Sequence, residues 1–168
     1  GHDALPICYD AEKEAYRGTT MWSGNVNTDA VTAGLYAGIE SVDMNAALTR
    51  DNAAQMIWNA LQAETVRYSL AGQAVKTGDT LLQDAFGSEY GVDTGVMAQI
   101  YYNKGSKAEY TYSIVDVNTD RTNIVNVIGG DLPLNAETYK TTTDYSDLFA
   151  MNVSVLYKGN EALCIRVN

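Results

Sequence analysis

The chain has 168 residues, 46% of them hydrophobic and 19% charged, which is typical of a globular protein and too short for an α/β-barrel enzyme. Its 21 acidic and 11 basic residues give a formal charge of −10. No run of Lys or Arg offers a local basic patch, so nucleic-acid backbones and anionic membrane surfaces would be repelled. No segment reaches the roughly 20 apolar residues of a membrane span. We therefore expect neither nucleic acid nor a membrane span among its partners.

Cysteine and histidine are too scarce to indicate a metal centre or a nucleophilic triad. Cys8 and Cys164 lie near opposite ends of the chain, and His2 is the only histidine. A Cys/His zinc site needs more ligands, and a Ser-His-Asp arrangement could recruit only a terminal His. We interpret the cysteines as separate structural thiols, with a bridge between them as the alternative. We predict no metal, no cofactor and no catalytic residue.

The composition changes along the chain, from residues that favour helices to residues that favour strands. The first 70 or so residues are rich in Ala, whereas the last 90 are rich in Val, Thr, Tyr and Asn. This shift predicts an α+β fold with a helical region at 1–75 and a β-rich module at 76–168.

Two helices are predicted in the first region. Asn27 or Thr28 can cap a helix that runs through residues 30–37 and ends at Gly38. Thr49 can cap a second helix, because its hydroxyl can accept a backbone N–H of the first turn. That helix has an apolar face with spacings of three and four, and we expect it to fade near Tyr68.

The second region is predicted to contain strands and hairpins. The alternating residues at 109–117 and the run at 122–128 predict one hairpin, and residues 152–157 and 162–167 predict another. Residues 95–102 predict a further strand, and 145–149 a short helical turn. A β-hairpin-rich sheet or small barrel would bury these strands.

Residues 48–61, from Leu48-Thr49-Arg50 through Met56 to Leu61, resemble the closing helix of an S-layer homology repeat. Trp22, Ala30 and Gly34 are similar to that family's opening Trp-containing loop and first helix. The likeness covers about residues 9–68. It implies a small helical unit that is the last of several such repeats, followed here by the β-rich module.

The resemblance implies a non-catalytic anchor or scaffold element that binds secondary cell-wall polysaccharide together with other repeats of the same full-length protein. Arg50 would grip a sugar carboxylate, and Thr49 and Trp22 would assist. The alternatives are an ion pair for Arg50, a helix cap for Thr49 and a half-buried wedge for Trp22. The implied location is extracellular, at the wall or S-layer of a Gram-positive-type bacterium. Residues 1–7 do not have the pattern of a signal peptide.

Two other functions remain open. The helical unit could have lost ligand binding and serve only to pack within a larger exported protein, or, least favoured, the protein could act enzymatically on wall glycan. Two further groups of residues each have a functional and a structural interpretation. The strand tyrosines Tyr101, Tyr102, Tyr110 and Tyr112 could form an aromatic strip for a glycan or peptide, although packing across the sheet is the simpler interpretation. Asp116, Asn118 and Asp120 have the spacing of a calcium loop but are better explained as a turn.

Overall fold

The computed structural model describes residues 20–39, 43, 46–105, 109–116 and 136–168. The chain divides into two compact units, the first ending at Ser88 and the second beginning at Glu89. The predicted α+β class is confirmed. Among the residues that the structure describes, none of the helices has the length and hydropathy needed to cross a membrane. The predicted strand at 122–128, together with Cys8, His2, Asn118 and Asp120, lies outside the described residues.

The first unit combines three helices with one antiparallel hairpin among its described residues. Its elements are α1 (Trp22–Thr32), α2 (Arg50–Gln62), β1 (Glu64–Tyr68), β2 (Ala74–Thr80) and α3 (Leu81–Phe86). The core here is small: Val26, Ala30 and Leu35 are buried, and Ala60 of α2 packs against them. The two helices predicted from the sequence therefore contact each other.

The predicted bounds of the first helix are wrong at both ends. Helix α1 begins at Trp22, and Asn27 and Thr28 lie inside it. The Thr28 hydroxyl donates to the carbonyl oxygen of Gly24, 3.0 Å away, one turn earlier in the same helix. A threonine that bonds back to the preceding turn is compatible with a helix interior and does not act as a cap.

Helix α1 ends well before Gly38 because Gly34 supplies the stop. Gly34 has a φ of +75°, the left-handed conformation that favours glycine. Its N–H bonds to the carbonyl of Val31, and the N–H of Leu35 bonds to the carbonyl of Ala30, both at 3.0 Å. These paired bonds, with the apolar contact between Leu35 and Ala30, form a Schellman motif.

Helix α2 begins where the sequence predicts and ends earlier. The Thr49 hydroxyl accepts the backbone N–H of Asn52 at 3.1 Å, so the predicted cap is confirmed. The predicted helical character up to Tyr68 is wrong, because Glu64–Tyr68 is strand β1. Thr65 explains the switch: it is β-branched, and its buried hydroxyl bonds that of Thr77 across the hairpin at 2.6 Å.

The second unit is a closed five-stranded barrel. Its strands are β3 (Tyr90–Asn103), β4 (Glu109–Val115), β5 (Glu137–Thr141), β6 (Asn152–Lys158) and β7 (Glu161–Val167), in the order β3-β4-β5-β7-β6. The structure confirms the strand predicted at 95–102, the first strand of the 109–128 hairpin and both strands of the last hairpin. It also confirms the helical turn, at Ser146–Leu148. The interior is filled mainly by Met97, Tyr112, Ile114, Tyr139, Val153, Val155 and Ile165.

Strand β3 is long enough to pair with two different strands along its length. It pairs with β6 from Tyr90 to Val96 and with β4 from Val96 to Asn103. Gly95 lies where the partners change, and a Cβ there would be 2.3 Å from the carbonyl oxygen of Val115. Only glycine allows this close approach of two strand backbones, which closes the barrel.

Candidate functional site

The first turn of α2 carries two of the three residues that the sequence singles out for ligand binding. Thr49 is the N-cap and Arg50 is the first helical residue, and both side chains are exposed. Arg50 makes no ion pair with any of the residues that the structure describes. The position is unusual for a cation, because the helix macrodipole is positive at this end.

Trp22, the third residue, begins a different helix. It is the first residue of α1, and its side chain is 47% exposed. The packing contact between the helices is made at Ala60 of α2, about 15 Å along the helix axis from Arg50 at 1.5 Å per residue. The structure thus places Thr49 and Arg50 side by side and puts Trp22 on a separate element.

Asn59 fixes α2 against the turn that follows α1. Its side-chain amide donates to the carbonyl oxygens of Leu35 at 2.9 Å and Ala37 at 2.8 Å. The amide of Gln55 donates to the Asn59 side-chain oxygen at 2.9 Å. This network holds the helix that carries Arg50 in a defined position, which the sequence analysis did not foresee.

The apolar side chains of the helical unit are only partly covered. No residue of α2 is fully buried, and Ile57 on this helix is 62% exposed. On α1, Val31 is 59% exposed. Each of the two helices thus carries an exposed aliphatic side chain.

In the barrel, the predicted aromatic strip is mostly a packed stack. Tyr102 and Tyr110 are register partners on β3 and β4, with ring centroids 4.5 Å apart, and Tyr110 stacks on Tyr112 at 5.9 Å. Tyr112 is fully buried, accepts the N–H of Tyr145 at 2.6 Å and donates to the carbonyl of Thr143 at 3.3 Å. The interpretation as cross-strand packing is therefore supported for these three, whereas Tyr101 is 67% exposed.

Asp144, in the loop after β5, is held by hydrogen bonds from neighbouring residues. Asp144 accepts the backbone N–H of Ser146 at 2.9 Å. Hydrogen bonds from Ser146, with a further one from Tyr110, lower the pKa of Asp144 below its ordinary value. Burial raises the pKa of Tyr110, and the nearby Asp144 raises it further. This pairing ties the loop to β4.

A second candidate site is a cleft of about 490 Å³ in the barrel wall. Two carboxylates, Asp93 of β3 and Glu137 of β5, line it together with Tyr139 and Tyr157. The Tyr139 hydroxyl donates to Asp93 Oδ2 at 2.9 Å, and the Tyr139 and Tyr157 rings stack at 5.1 Å. Burial, followed by the bond to Asp93, raises the pKa of Tyr139 far above its ordinary value, so this phenol is neutral.

Another depression, of about 550 Å³, is lined by Ala98, Gln99, Ile100 and Phe149, and these carry no ionisable group. In the described part of the chain, no three metal-binding side chains come together. Of the two depressions, the 490 Å³ cleft is the one with carboxylates in its described lining, those of Asp93 and Glu137.

Sequence reasoning missed this cleft because its residues belong to separate strands. Asp93 and Tyr139 are 46 positions apart, and nothing in either segment indicates the other. A local signal did exist for the missed helix α3. Thr80 and Gln83 have capping-box spacing, and each side chain bonds the backbone of the other residue.

Comparisons with protein-family models, with curated proteins and with solved structures find no match to this chain.

Proposed function

We propose that the chain is a non-catalytic cell-envelope element that binds acidic secondary cell-wall polysaccharide at the first turn of α2. The observation that carries this proposal is the placement of Arg50, which is exposed, lies beside the capping Thr49 and has no ion-pair partner in the described residues. A cation gains nothing from the macrodipole at a helix N-terminus. An external anion would compensate for that unfavourable position.

The chemistry of the site suits a carboxylate on a sugar. The Arg50 guanidinium can donate two parallel hydrogen bonds to one carboxylate, a geometry that a lysine does not reproduce. The Thr49 oxygen accepts the N–H of Asn52, and its own hydroxyl hydrogen can still be donated to a ligand oxygen. Thr49 can thus cap the helix and contribute to binding at once.

Trp22 has a supporting role in this proposal. Its indole is about half exposed, and an aromatic face is a suitable surface for the C–H groups of a sugar ring. Since it lies on α1, it would contact a part of the polymer other than the carboxylate held by Arg50. A polymer that spans both helices would then bind more tightly than a single sugar acid.

Other repeats of the same full-length protein are the proposed partners of the helical unit. The support is the exposed aliphatic surface of α1 and α2, which includes Val31 and Ile57, and the small core. A purely structural role, in which this surface packs but no polymer binds, is the second candidate. The proposed location is the exterior of a Gram-positive-type cell, at the wall.

Wall co-sedimentation separates these functions. Purified full-length protein is mixed with isolated Gram-positive cell walls, before and after chemical removal of the secondary polymer, and the supernatant is assayed for released sugar. Sedimentation that depends on the polymer, with no sugar release, is the expected result. Sedimentation unaffected by polymer removal, or none at all, would contradict the binding proposal, and sustained sugar release would indicate an enzyme.

A further inference from the structure

The cleft in the barrel exists because β5 and β7 meet at one point. The register between them contains a single parallel pair, Lys140 with Glu161, and Lys140 N donates to the carbonyl oxygen of Asn160 at 2.8 Å. The rest of β5, from Glu137 to Tyr139, has no ladder partner on that side among the described residues. The gap is bounded by β3, β6 and the turn at Gly159 and Asn160.

Asp93 is an acid on an inward-facing position of a barrel strand. Alternation along β3 places it on the same face as Met97, which is fully buried. A carboxylate on a core face is costly unless its oxygens are satisfied. Oδ1 accepts the N–H of Thr94 at 2.8 Å and Oδ2 accepts the hydroxyl of Tyr139 at 2.9 Å. A carboxylate has about four acceptor positions, so capacity for further donors remains.

The aromatic wall beside Asp93 is closely packed. Tyr139 is only 5% exposed, and its ring stacks on that of Tyr157. Tyr157 in turn lies against Gly91, its register partner on β3, where a Cβ would come within 2.3 Å of the Tyr157 hydroxyl. The packed Tyr139 thus donates its hydrogen bond to the Asp93 carboxylate in the wall of the cleft.

The charged residues in and around the cleft favour a cationic ligand. The described lining contains two carboxylates and no Lys or Arg. Two lysines on the flanking strands pair with other acids: Lys140 with Glu109 at 3.6 Å and Lys158 with Glu89 at 3.9 Å. With a formal charge of −10 on the whole chain, the cleft repels anions and attracts cations.

We propose that this cleft binds a primary ammonium group, held by the carboxylates of Asp93 and Glu137 beside the Tyr157 ring. An ammonium offers three donors with no acceptor, which matches a wall whose charged groups are acceptors. Both an amino sugar and a lysine side chain carry this group. The site is independent of Arg50 and of the function proposed for the helical unit.

The test is an NMR titration of the isotope-labelled chain with three probes: glucosamine, its neutral analogue N-acetylglucosamine, and Nα-acetyl-lysine amide. Glucosamine should shift the amide signals of Asp93, Thr138 and Asn160, and N-acetylglucosamine should not. Tighter binding of glucosamine than of the lysine probe would identify an amino sugar as the ligand, and the reverse order a peptide. Equal effects of glucosamine and N-acetylglucosamine, or no shift in the cleft with either ammonium probe, would overturn the proposal.

Variants separate the cleft from general charge effects. Asp93→Asn should weaken ammonium binding by about tenfold, since it removes a charge-assisted bond. Glu137→Gln, at an exposed position, should weaken it by about threefold. The matched control is Asp147→Asn, which removes the same charge from the exposed helical turn. Equal weakening by Glu137→Gln and Asp147→Asn would contradict a specific site.

Discussion

The side chain of Asn59 in α2 donates a hydrogen bond to the carbonyl oxygen of Leu35 at 2.9 Å, across 24 positions of sequence. Its second amide hydrogen goes to Ala37 at 2.8 Å. These bonds fasten α2, and with it Arg50, to the turn after α1. The position of the proposed polymer site therefore depends on a polar contact as well as on the small apolar core.

Asn59→Ala should destabilise the helical unit by about 1 to 3 kcal/mol, because the partly buried bond to Leu35 and the exposed bond to Ala37 are both lost. Both tryptophans of the chain, Trp22 and Trp58, belong to this unit. Denaturant unfolding followed by Trp fluorescence thus reports on this unit alone. Gln62→Ala is the control, since its side chain bonds within its own helix, to the Trp58 carbonyl, and to no other described residue. Equal unfolding midpoints for the two variants would contradict the role given to Asn59.

Alanine should stabilise the protein at Gly24 and destabilise it at Gly95. Gly24→Ala lies in α1, where among the described residues the new Cβ meets only Met21 Cε, at 3.9 Å, so the helical unit should gain about 0.5 to 1 kcal/mol. Gly95→Ala would place its Cβ 2.3 Å from a backbone oxygen of Val115, and the barrel should lose about 1 to 3 kcal/mol or more. Thermal unfolding followed by Trp fluorescence and by near-ultraviolet circular dichroism measures both effects. A stable Gly95→Ala barrel would contradict the close strand approach.

The buried hydroxyl of Tyr112 should contribute more to the stability of the barrel than an exposed tyrosine hydroxyl does. Tyr112→Phe removes the bonds to Tyr145 and Thr143 and should destabilise the barrel by about 1 to 2 kcal/mol. Tyr101→Phe, on an exposed side chain, should change stability by less than about 0.5 kcal/mol. Chemical unfolding followed by near-ultraviolet circular dichroism compares them, and similar losses in both variants would refute this assignment.

The barrel should lose stability in alkali through Tyr139. Burial raises the pKa of this phenol in the folded state above the ordinary value of 10.0, so the folded state retains a proton that the unfolded state releases. The contribution of this phenol to the free energy of unfolding is therefore fully present below about pH 10 and is lost as the pH rises further. In Tyr139→Phe that fall should be shallower. Unfolding measured at a series of alkaline pH values tests this, and an unchanged slope in the variant would contradict it.

The sequence predicted features whose causes are local. Thr49 was assigned as a cap because a threonine hydroxyl can reach an N–H three residues later, and the bond to Asn52 is present. The last hairpin was found because its strands alternate on either side of a short turn. The predicted start of α1 is wrong because Thr28, although of a residue type that often caps helices, lies inside the helix and bonds back to Gly24.

The rest depends on contacts between distant segments, which no local pattern encodes. Asn59 and Leu35, and likewise Asp93 and Tyr139, meet only once the chain has folded. Asp93 was unremarkable as a polar residue in a strand, and only the register of the barrel shows that it faces inward. The cleft could therefore be recognised only in the structure.

The binding of wall polymer by Arg50 is tested most directly by comparing Arg50→Ala with Arg67→Ala in the full-length protein. Arg67 is an exposed arginine on β1 of the same unit, so both variants remove the same charge. Arg50→Ala should weaken binding to cell walls, measured by co-sedimentation, by about 1.5 to 3 kcal/mol. It should lower the free energy of unfolding by less than about 0.5 kcal/mol. Arg67→Ala should leave sedimentation unchanged. A melting temperature lowered by Arg50→Ala, with sedimentation per folded molecule unchanged, would show that Arg50 is structural and contradict the binding proposal.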